Sequence, residues 1–138
     1  MRVGFGFDLH PLVTGRPLVL GGVTVPSERG LGGHSDADVL SHAVAEALLG
    51  ALALGDLGRH FPDTDPRWRG VSSLVLLSHV LELVGARGGA LVNVDATVLA
   101  QAPRLAAQLG AMAARLAETL GREEGIAAMA VVSVEVAG

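Results

Sequence analysis

The 138-residue sequence predicts a single α+β domain, residues 1–138, with helices packed on one face of a mixed four-stranded sheet. Side-chain character alternates with a period of two near the N-terminus and again from Ala90 to Ala100, which is typical of strands. Between these segments apolar residues recur every three or four positions, which is typical of helices. Half of the residues are hydrophobic and 17% are charged, which excludes a disordered chain.

Residues 3–10 form the first predicted strand. Asp8 and His10 are two positions apart in it, so both side chains lie on the same face. Residues 17–25 predict a hairpin, because Gly21-Gly22 separates two short apolar runs.

Three helices follow from the periodicity. The first begins at Asp36 or Asp38 and ends near Leu54, with Ser35 and Asp36 as candidate N-caps and Gly55 placed to terminate it. The others are Ser72–Gly85 and Arg104–Leu120, with Pro103 suited to the first turn of the latter. The final run, Gly125–Val136, predicts a buried strand, although its alanines also permit a helix.

Composition restricts the possible chemistry. The chain has no cysteine and no lysine, which excludes disulfides, thiol catalysis and Schiff bases and leaves His and carboxylates to hold any metal. The net charge is −4 and basic residues are not clustered, which argues against a nucleic-acid partner. Without a signal peptide or a membrane-spanning stretch, a cytoplasmic protein without membrane contact is expected.

Asp8, His10 and His42 are candidate metal ligands. Two His and one carboxylate are the ligand set of a catalytic zinc site with an open position, although other transition metals use it too. His42 lies four residues from both Asp38 and Glu46, so either carboxylate could accept its second ring N–H. The alternative is that His42 is merely solvated or part of the core.

Two polar segments are candidates for substrate binding. Ser35 and the backbone beside it lie at a helix start, where phosphate is favoured, and His34 could donate to a phosphate oxygen. The alternative is that Ser35, Asp36 and Asp38 only cap the helix. The loop Asp56–Asp65 has the carboxylates that a polyol requires, but it could also be an Asx-rich surface turn.

A series of motifs resembles the 2-C-methyl-D-erythritol 2,4-cyclodiphosphate synthase family. They are Gly6-Phe7-Asp8-Leu9-His10, His34-Ser35-Asp36-Ala37-Asp38-Val39, His42-Ala43, Leu54-Gly55-Asp56-Leu57-Gly58, Phe61-Pro62-Asp63-Thr64-Asp65-Pro66, Asn93-Val94-Asp95 and Ala100-Gln101-Ala102-Pro103. The resemblance runs from Met1 to about Gly121 and then resumes to the C-terminus.

This resemblance implies an assignment of residues. Asp8, His10 and His42 would hold zinc, with Asp38 and Glu46 behind them, and His34 would stabilise the transition state. Ser35 would bind phosphate. The erythritol end of the substrate would meet Asp56, Leu57, Gly58, Phe61, Pro62, Asp63, Thr64 and Asp65. The cytidine and diphosphate end would meet Ala100, Gln101, Ala102, Pro103, Arg104, Leu105, Ala106 and Arg122.

The resemblance also implies the reaction and the assembly. The family is a homotrimer with active sites between adjacent subunits. In its reaction the 2-phosphate of 4-diphosphocytidyl-2-C-methyl-D-erythritol 2-phosphate attacks the β-phosphorus, and CMP leaves as the cyclic diphosphate forms. The enzyme is a lyase of the non-mevalonate pathway to isoprenoids and terpenoids. A second ion, Mg²⁺ or Mn²⁺, would accompany the substrate.

One segment of the family pattern is missing between Gly121 and Arg122. There the family has a strand, a Thr-Thr-Glu stretch and a glycine-containing loop, which bind the nucleotide and ligate the second ion. The preferred interpretation is that the molecule contains this segment and the sequence omits it. If the segment is truly absent, the chain would be a non-catalytic trimer that binds metal or diphosphate. A third possibility is a phosphohydrolase that uses the same metal site.

Overall fold

The computed structural model describes residues 1–121 and the backbone of residues 132–136. Its strands are β1 (Gly6–Leu9), β2 (Leu12–Thr14), β3 (Leu18–Leu20), β4 (Val23–Val25), β5 (Arg29–Leu31), β6 (Thr97–Ala100) and β7 (Val132–Val136). Its helices are α1 (Val39–Ala51), α2 (Leu57–His60), α3 (Ser73–Ala86) and α4 (Leu109–Thr119), with a 3₁₀ turn at Pro66–Trp68. The architecture is a mixture of helices and small sheets.

The main sheet has the strand order β1-β7-β6, and both pairs are parallel. Asp8 is opposite Val134, and Val98 is opposite the same residue on the other side. Two antiparallel pairs, β2–β5 and β3–β4, lie outside this sheet. Within the described residues the sheet therefore has three strands in one direction, and the fourth strand and mixed direction stay a prediction.

The hairpin β3–β4 confirms the prediction for residues 17–25. Leu18 pairs with Val25 and Leu20 with Val23. Gly21 and Gly22 have φ values of 56° and 72°, which glycine adopts without the steric cost that other residues meet.

Strand β1 lies unusually close to helix α1 because its inner positions carry glycine. A Cβ atom on Gly6 would lie 1.9 Å from the carbonyl oxygen of Ala43, and one on Gly4 would lie 1.7 Å from that of Ala47. Only glycine permits this approach. The strand can thus place Asp8, two residues after Gly6, beside His42, the residue before Ala43.

Helix α1 is central to the core. Val39, Val44 and Leu49 are fully buried, and Leu77 and Val80 of α3 belong to the same apolar cluster. The N-cap is Asp38, whose side chain accepts from the Ser41 N–H. The predicted caps Ser35 and Asp36 are therefore wrong, although the alternative start at Asp38 is confirmed.

Two helices and one strand are shorter than predicted. Helix α1 ends at Ala51, with Leu52 as its C-cap, before Leu54 and Gly55. Strand β6 occupies only the last four residues of 90–100, which are the ones paired with β7. Helix α4 starts at Leu109, not Arg104. Its buried residues, Met112 and Leu116, both lie after this observed start. The predicted helix Ser72–Gly85 is confirmed as α3, with Ser72 as its N-cap.

The sheet face opposite α1 is apolar and exposed in the single chain. Along and before β1 the exposed fractions are 85% for Val3, 64% for Phe5 and 49% for both Phe7 and Leu9, and Leu99 of β6 is also 49% exposed. Apolar patches of this kind mark surfaces that bind a partner. Among the described residues, no helix combines the length and apolar character required to cross a bilayer.

Candidate metal centre

Asp8, His10 and His42 meet at one point, as the sequence predicts. Each offers one ligand atom, and these atoms lie within 4.8 Å of one another. His10 Nε2 lies 3.0 Å from Asp8 Oδ2, and His42 Nδ1 lies 3.1 Å from the same oxygen. The alternation of side chains along the strand places Asp8 and His10 on the same face, and the close approach of α1 to β1 brings His42 beside them.

The protonation of His10 indicates what the cluster requires. Its Nδ1 lies 2.6 Å from the Gly32 carbonyl oxygen, which can only accept, so Nδ1 carries the proton in the neutral ring. The other nitrogen, Nε2, then directs a lone pair at the Asp8 carboxylate, which is also an acceptor. Two acceptors 3.0 Å apart repel each other unless a cation lies with them. The donor set therefore fits a divalent metal ion.

The electrostatics of the metal-free cluster agree with this requirement. Burial raises the pKa of the Asp8 carboxyl, but hydrogen bonds with His10 and His42 outweigh it and hold that pKa well below its ordinary value. The hydrogen bond with Asp8 raises the pKa of the His10 imidazole against the lowering effect of burial. Without a metal, a proton on His10 is the cation that relieves the repulsion.

The carboxylates expected behind His42 do not contact it. Asp38 accepts from the N–H groups of Gly21 and Gly22 at 2.9 and 2.7 Å, and it also accepts from Ser41. Glu46 accepts from the Leu57 N–H at 2.9 Å. The expectation that Asp38 or Glu46 accepts the second ring N–H of His42 is therefore wrong.

His42 Nε2 instead meets two serines. Ser73 Oγ lies 2.7 Å from it, and Ser35 Oγ lies 3.2 Å from it. Sequence analysis missed Ser73, because a serine at a helix start has the appearance of a simple cap. The Ser35 hydroxyl is also turned inward, where it accepts from the Ala37 N–H, and Ser35 is only 5% exposed.

A cavity of about 370 Å³ opens beside the three ligands. Besides the ligands, its walls include these predicted site residues: His34, Ser35, Leu57, Gly58, Phe61 and Asp63. Glu46 and Trp68 also line it. Phe61 packs edge-on against Trp68, with the ring centroids 5.1 Å apart, so an aromatic pair supports the far wall.

Other predicted residues of the loop serve its own structure. Asp56 caps α2 by accepting from the Arg59 N–H at 2.8 Å. Asp65 caps the 3₁₀ turn and binds the guanidinium of Arg67 at 2.7 Å, and this hydrogen bond lowers the pKa of the Asp65 carboxyl. The Asp65 carbonyl oxygen accepts from His34 Nε2 at 3.1 Å, which holds the imidazole over the cavity. The Asx-turn alternative is thus correct for these two side chains.

The predicted nucleotide segment lies elsewhere. Residues 100–106 and the loop residues Pro62 and Thr64 are not among the residues that line the 370 Å³ cavity of this single chain. Arg122 lies outside the described residues. The described part of the chain brings the candidate metal ligands together with several residues predicted for the erythritol end of a substrate, but not with those predicted for the cytidine end.

Comparison with known proteins gives a consistent result. The YgbB family matches residues 1–124. A protein from Geobacter metallireducens named 2-C-methyl-D-erythritol 2,4-cyclodiphosphate synthase is 56% identical over 155 positions, which cover 98% of this chain and 99% of the relative. A protein of the same name from Desulfosudis oleivorans is 63% identical over 121 residues, 88% of this chain and 72% of the relative.

The solved structures agree. A structure described as 2C-methyl-D-erythritol-2,4-cyclodiphosphate synthase in a CDP-bound form matches with a TM-score of 0.82 and 38% identity. The match covers 99% of this chain and 89% of that one. Fold and sequence therefore identify the same set of relatives.

Proposed function

The chain belongs to the YgbB family, and from this membership and its site we propose its function as a 2-C-methyl-D-erythritol 2,4-cyclodiphosphate synthase. It cyclises 4-diphosphocytidyl-2-C-methyl-D-erythritol 2-phosphate to the 2,4-cyclodiphosphate with release of CMP. It is thus a lyase of non-mevalonate isoprenoid biosynthesis. The observation that carries the metal dependence is the convergence of Asp8, His10 and His42, whose ligand atoms lie within 4.8 Å of one another.

The reaction needs no nucleophile from the protein, because the 2-phosphate of the substrate attacks the β-phosphorus. The residues have to bring the two phosphates together and neutralise their charge. Zinc held by Asp8, His10 and His42 would supply Lewis-acid stabilisation of the attacked phosphate. His34, held by the Asp65 carbonyl oxygen, is positioned to donate to a phosphate oxygen in the same cavity.

We assign the erythritol end of the substrate to the α2 side of the cavity. Gly58, Phe61 and Asp63 line that wall, and the Asp63 carboxylate can accept from substrate hydroxyls. Asp56, Leu57, Pro62, Thr64 and Asp65 support the same loop. Ser35 remains a proposed phosphate contact through the backbone at and beside it, because its hydroxyl is turned inward.

We further propose a homotrimer with the active site shared between subunits. The exposed row of Val3, Phe5, Phe7 and Leu9 supports this proposal, because a partner that covered it would bury a large apolar surface. The remoteness of residues 100–106 from the cavity also supports it, since an adjacent subunit could bring its own copy of that segment to the site. We also propose a fourth strand in the main sheet and a cytoplasmic location for the protein.

The gap between Gly121 and Arg122 is supported by the lengths of the alignments. The alignment with the Geobacter metallireducens relative spans 155 positions against 138 residues here, so that relative has residues at no fewer than 17 positions where this chain has none. The Desulfosudis oleivorans alignment spans 121 residues, which is the stated 88% of this chain and leaves no break. An unbroken stretch of 121 residues within a chain of 138 must include residues 18–121. The positions that this chain lacks therefore lie outside residues 18–121.

The intact mass of the purified protein tests this gap. A mass above 14.0 kDa by the weight of a strand and loop supports the full nucleotide site, with its second Mg²⁺ or Mn²⁺. A mass of 14.0 kDa favours the alternative of a non-catalytic trimer that binds metal or diphosphate.

Product analysis tests the function itself. Incubation with the substrate, followed by ³¹P NMR, is expected to give CMP and a cyclic diphosphate in equal amounts. Release of inorganic phosphate without a cyclic product would instead indicate a phosphohydrolase. The matched control is Ser78→Ala, an exposed serine of α3 outside the cavity, which should leave the product unchanged.

A further inference from the structure

The imidazole of His42 contacts polar groups through both of its nitrogens. Nδ1 faces Asp8 Oδ2 at 3.1 Å, and Nε2 faces Ser73 Oγ at 2.7 Å. Which nitrogen carries the proton decides whether Nδ1 can bind a metal, because a ligating nitrogen needs its lone pair. The contacts of Ser73 answer this question.

Ser73 is tied to Asp36 by two hydrogen bonds. Its hydroxyl donates to Asp36 Oδ1, and its backbone N–H donates to Asp36 Oδ2 at 3.1 Å. A serine hydroxyl has a single hydrogen, and a carboxylate can only accept. The hydrogen of Ser73 is therefore committed to Asp36, and Ser73 Oγ must accept from His42 Nε2–H.

The surroundings leave little freedom for another arrangement. Ser73 is 1% exposed and Ser35 is 5% exposed, so water does not compete for these hydroxyls. Ser35 Oγ lies 3.2 Å from His42 Nε2, where it offers a second acceptor, and 3.4 Å from Ser73 Oγ. Asp36 also accepts from the Asp38 N–H at 3.1 Å, which fixes its carboxylate at the start of α1.

We propose that Ser73, oriented by Asp36, is the positioning residue that fixes the Nε2–H tautomer of His42 and thereby prepares Nδ1 as a metal ligand. The inference rests on the proposed metal site. It parallels the way in which the Gly32 carbonyl oxygen fixes His10, but it uses a hydroxyl and a carboxylate in series. Outer partners of ligating histidines contribute to metal affinity in this way.

Two variants test the proposal. Ser73→Ala removes the acceptor and should weaken zinc binding about 10- to 100-fold in a competition titration against a chelator. Asp36→Asn should free the Ser73 hydroxyl hydrogen for His42 Nε2, because the amide can donate to Ser73 Oγ. That variant should shift His42 toward the Nδ1–H tautomer. Ser78→Ala removes a hydroxyl from the same helix and should leave affinity and tautomer unchanged, since Ser78 is exposed and donates only to the Leu74 carbonyl oxygen.

The tautomer is read from the imidazole ¹⁵N shifts of the metal-free trimeric or full-chain protein, so this measurement does not require a bound metal. The expected wild-type result is a protonated Nε2 on His42, because Ser73 Oγ can only accept from it. A bare Nε2 in the wild type, or unchanged affinity and tautomer in both variants, would overturn the proposal. A wild type that has the protonated Nε2 but binds no zinc would contradict the proposed metal site and the preparation of Nδ1 as a ligand, and would leave only the orientation of His42 by Ser73 standing.

Discussion

Asp8 and Asp38 are both carboxylates with several polar neighbours, but their surroundings are opposite in kind. Asp38 is fully buried and meets only donors: two glycine N–H groups, the Ser41 N–H and the Ser41 hydroxyl, at 2.7 to 3.1 Å. Asp8 is partly exposed; its Oδ1 accepts from the Leu9 N–H at 2.9 Å, and its Oδ2 meets two imidazole nitrogens at 3.0 and 3.1 Å.

The difference separates a structural carboxylate from a binding one. The Asp38 carboxylate has its hydrogen bonds made within the chain, by groups that also join the β3–β4 hairpin to the start of α1, although burial raises its pKa. Asp8 Oδ2 instead faces two ring nitrogens, His10 Nε2 and His42 Nδ1, which are the atoms that could bind a metal together with it. Residue type and spacing do not distinguish the two, whereas the balance of donors and acceptors does. The predictions below test this contrast.

The largest effect is expected from Asp8→Asn. Cyclisation should fall about 10³-fold or more, because Lewis-acid stabilisation contributes several kcal/mol. Zinc should no longer bind tightly. Stability without metal should fall only by the contribution of the Asp8–His10 pair, since the new amide can still donate to His10 Nε2. CMP release, zinc titration and urea unfolding measure these quantities, and a large loss of metal-free stability would place Asp8 in the same structural class as Asp38.

Asp38→Ala should have the complementary effect. It leaves the Gly21, Gly22 and Ser41 donors buried without an acceptor, so the free energy of unfolding should fall by about 3 kcal/mol or more. Urea unfolding measures the loss, and Asp38→Asn, which keeps one acceptor oxygen, should lose less. Protein that remains folded should bind zinc normally. A stable Asp38→Ala variant with impaired zinc binding would contradict the contrast.

The pH dependence should have opposite signs in the two forms of the protein. The pKa of His10 is raised in the folded state by Asp8. Its contribution to metal-free stability is therefore full below the unfolded value of 6.5 and is lost as the pH rises through the folded value. Zinc affinity should increase over the same window, because the ligand must lose its proton. Thermal unfolding with and without zinc from pH 6 to 9 checks both signs, and parallel trends would contradict this account.

The smallest effect is expected from Glu46→Ala. This carboxylate lies on α1 near His42, but within the described part of the chain its hydrogen bond is to the Leu57 N–H, so its loss should cost about 1 kcal/mol of stability. Zinc affinity should not change. Glu46→Gln keeps the acceptor and serves as the matched control. If Glu46→Ala weakened zinc binding as strongly as Ser73→Ala, the expectation that Glu46 supports His42 would be restored.

The sequence predicted the metal ligands because their geometry depends on simple periodicity. Asp8 and His10 share a face in any strand, and His42 only had to lie on the helix that packs over it. The hydrogen-bond partners of His42 could not be predicted from periodicity alone, because they depend on how the elements pack. Asp38 is the N-cap, with φ −68° and ψ 91°, so the four-residue spacing of a helix does not apply to it. Ser73 reaches His42 only through the packing of α3 on α1, 31 residues further along the chain.

Segment boundaries were less predictable than the segments themselves. The apolar alternation of residues 90–100 is real, but only the part beside β7 forms a strand. Likewise the segment Asp56–Asp65 was predicted as a loop, but its residues Leu57–His60 form helix α2, and which of its carboxylates face the cavity depended on local turns. Asp63 lines the cavity, whereas Asp56 and Asp65 cap helical turns.

Anomalous diffraction from crystals grown with zinc tests the central claim most directly. We expect a peak bonded to an Asp8 oxygen, His10 Nε2 and His42 Nδ1 at about 2.0–2.2 Å, with a further position open toward the cavity. A peak bonded through the opposite nitrogen of either histidine, or no peak between these three side chains, would contradict it.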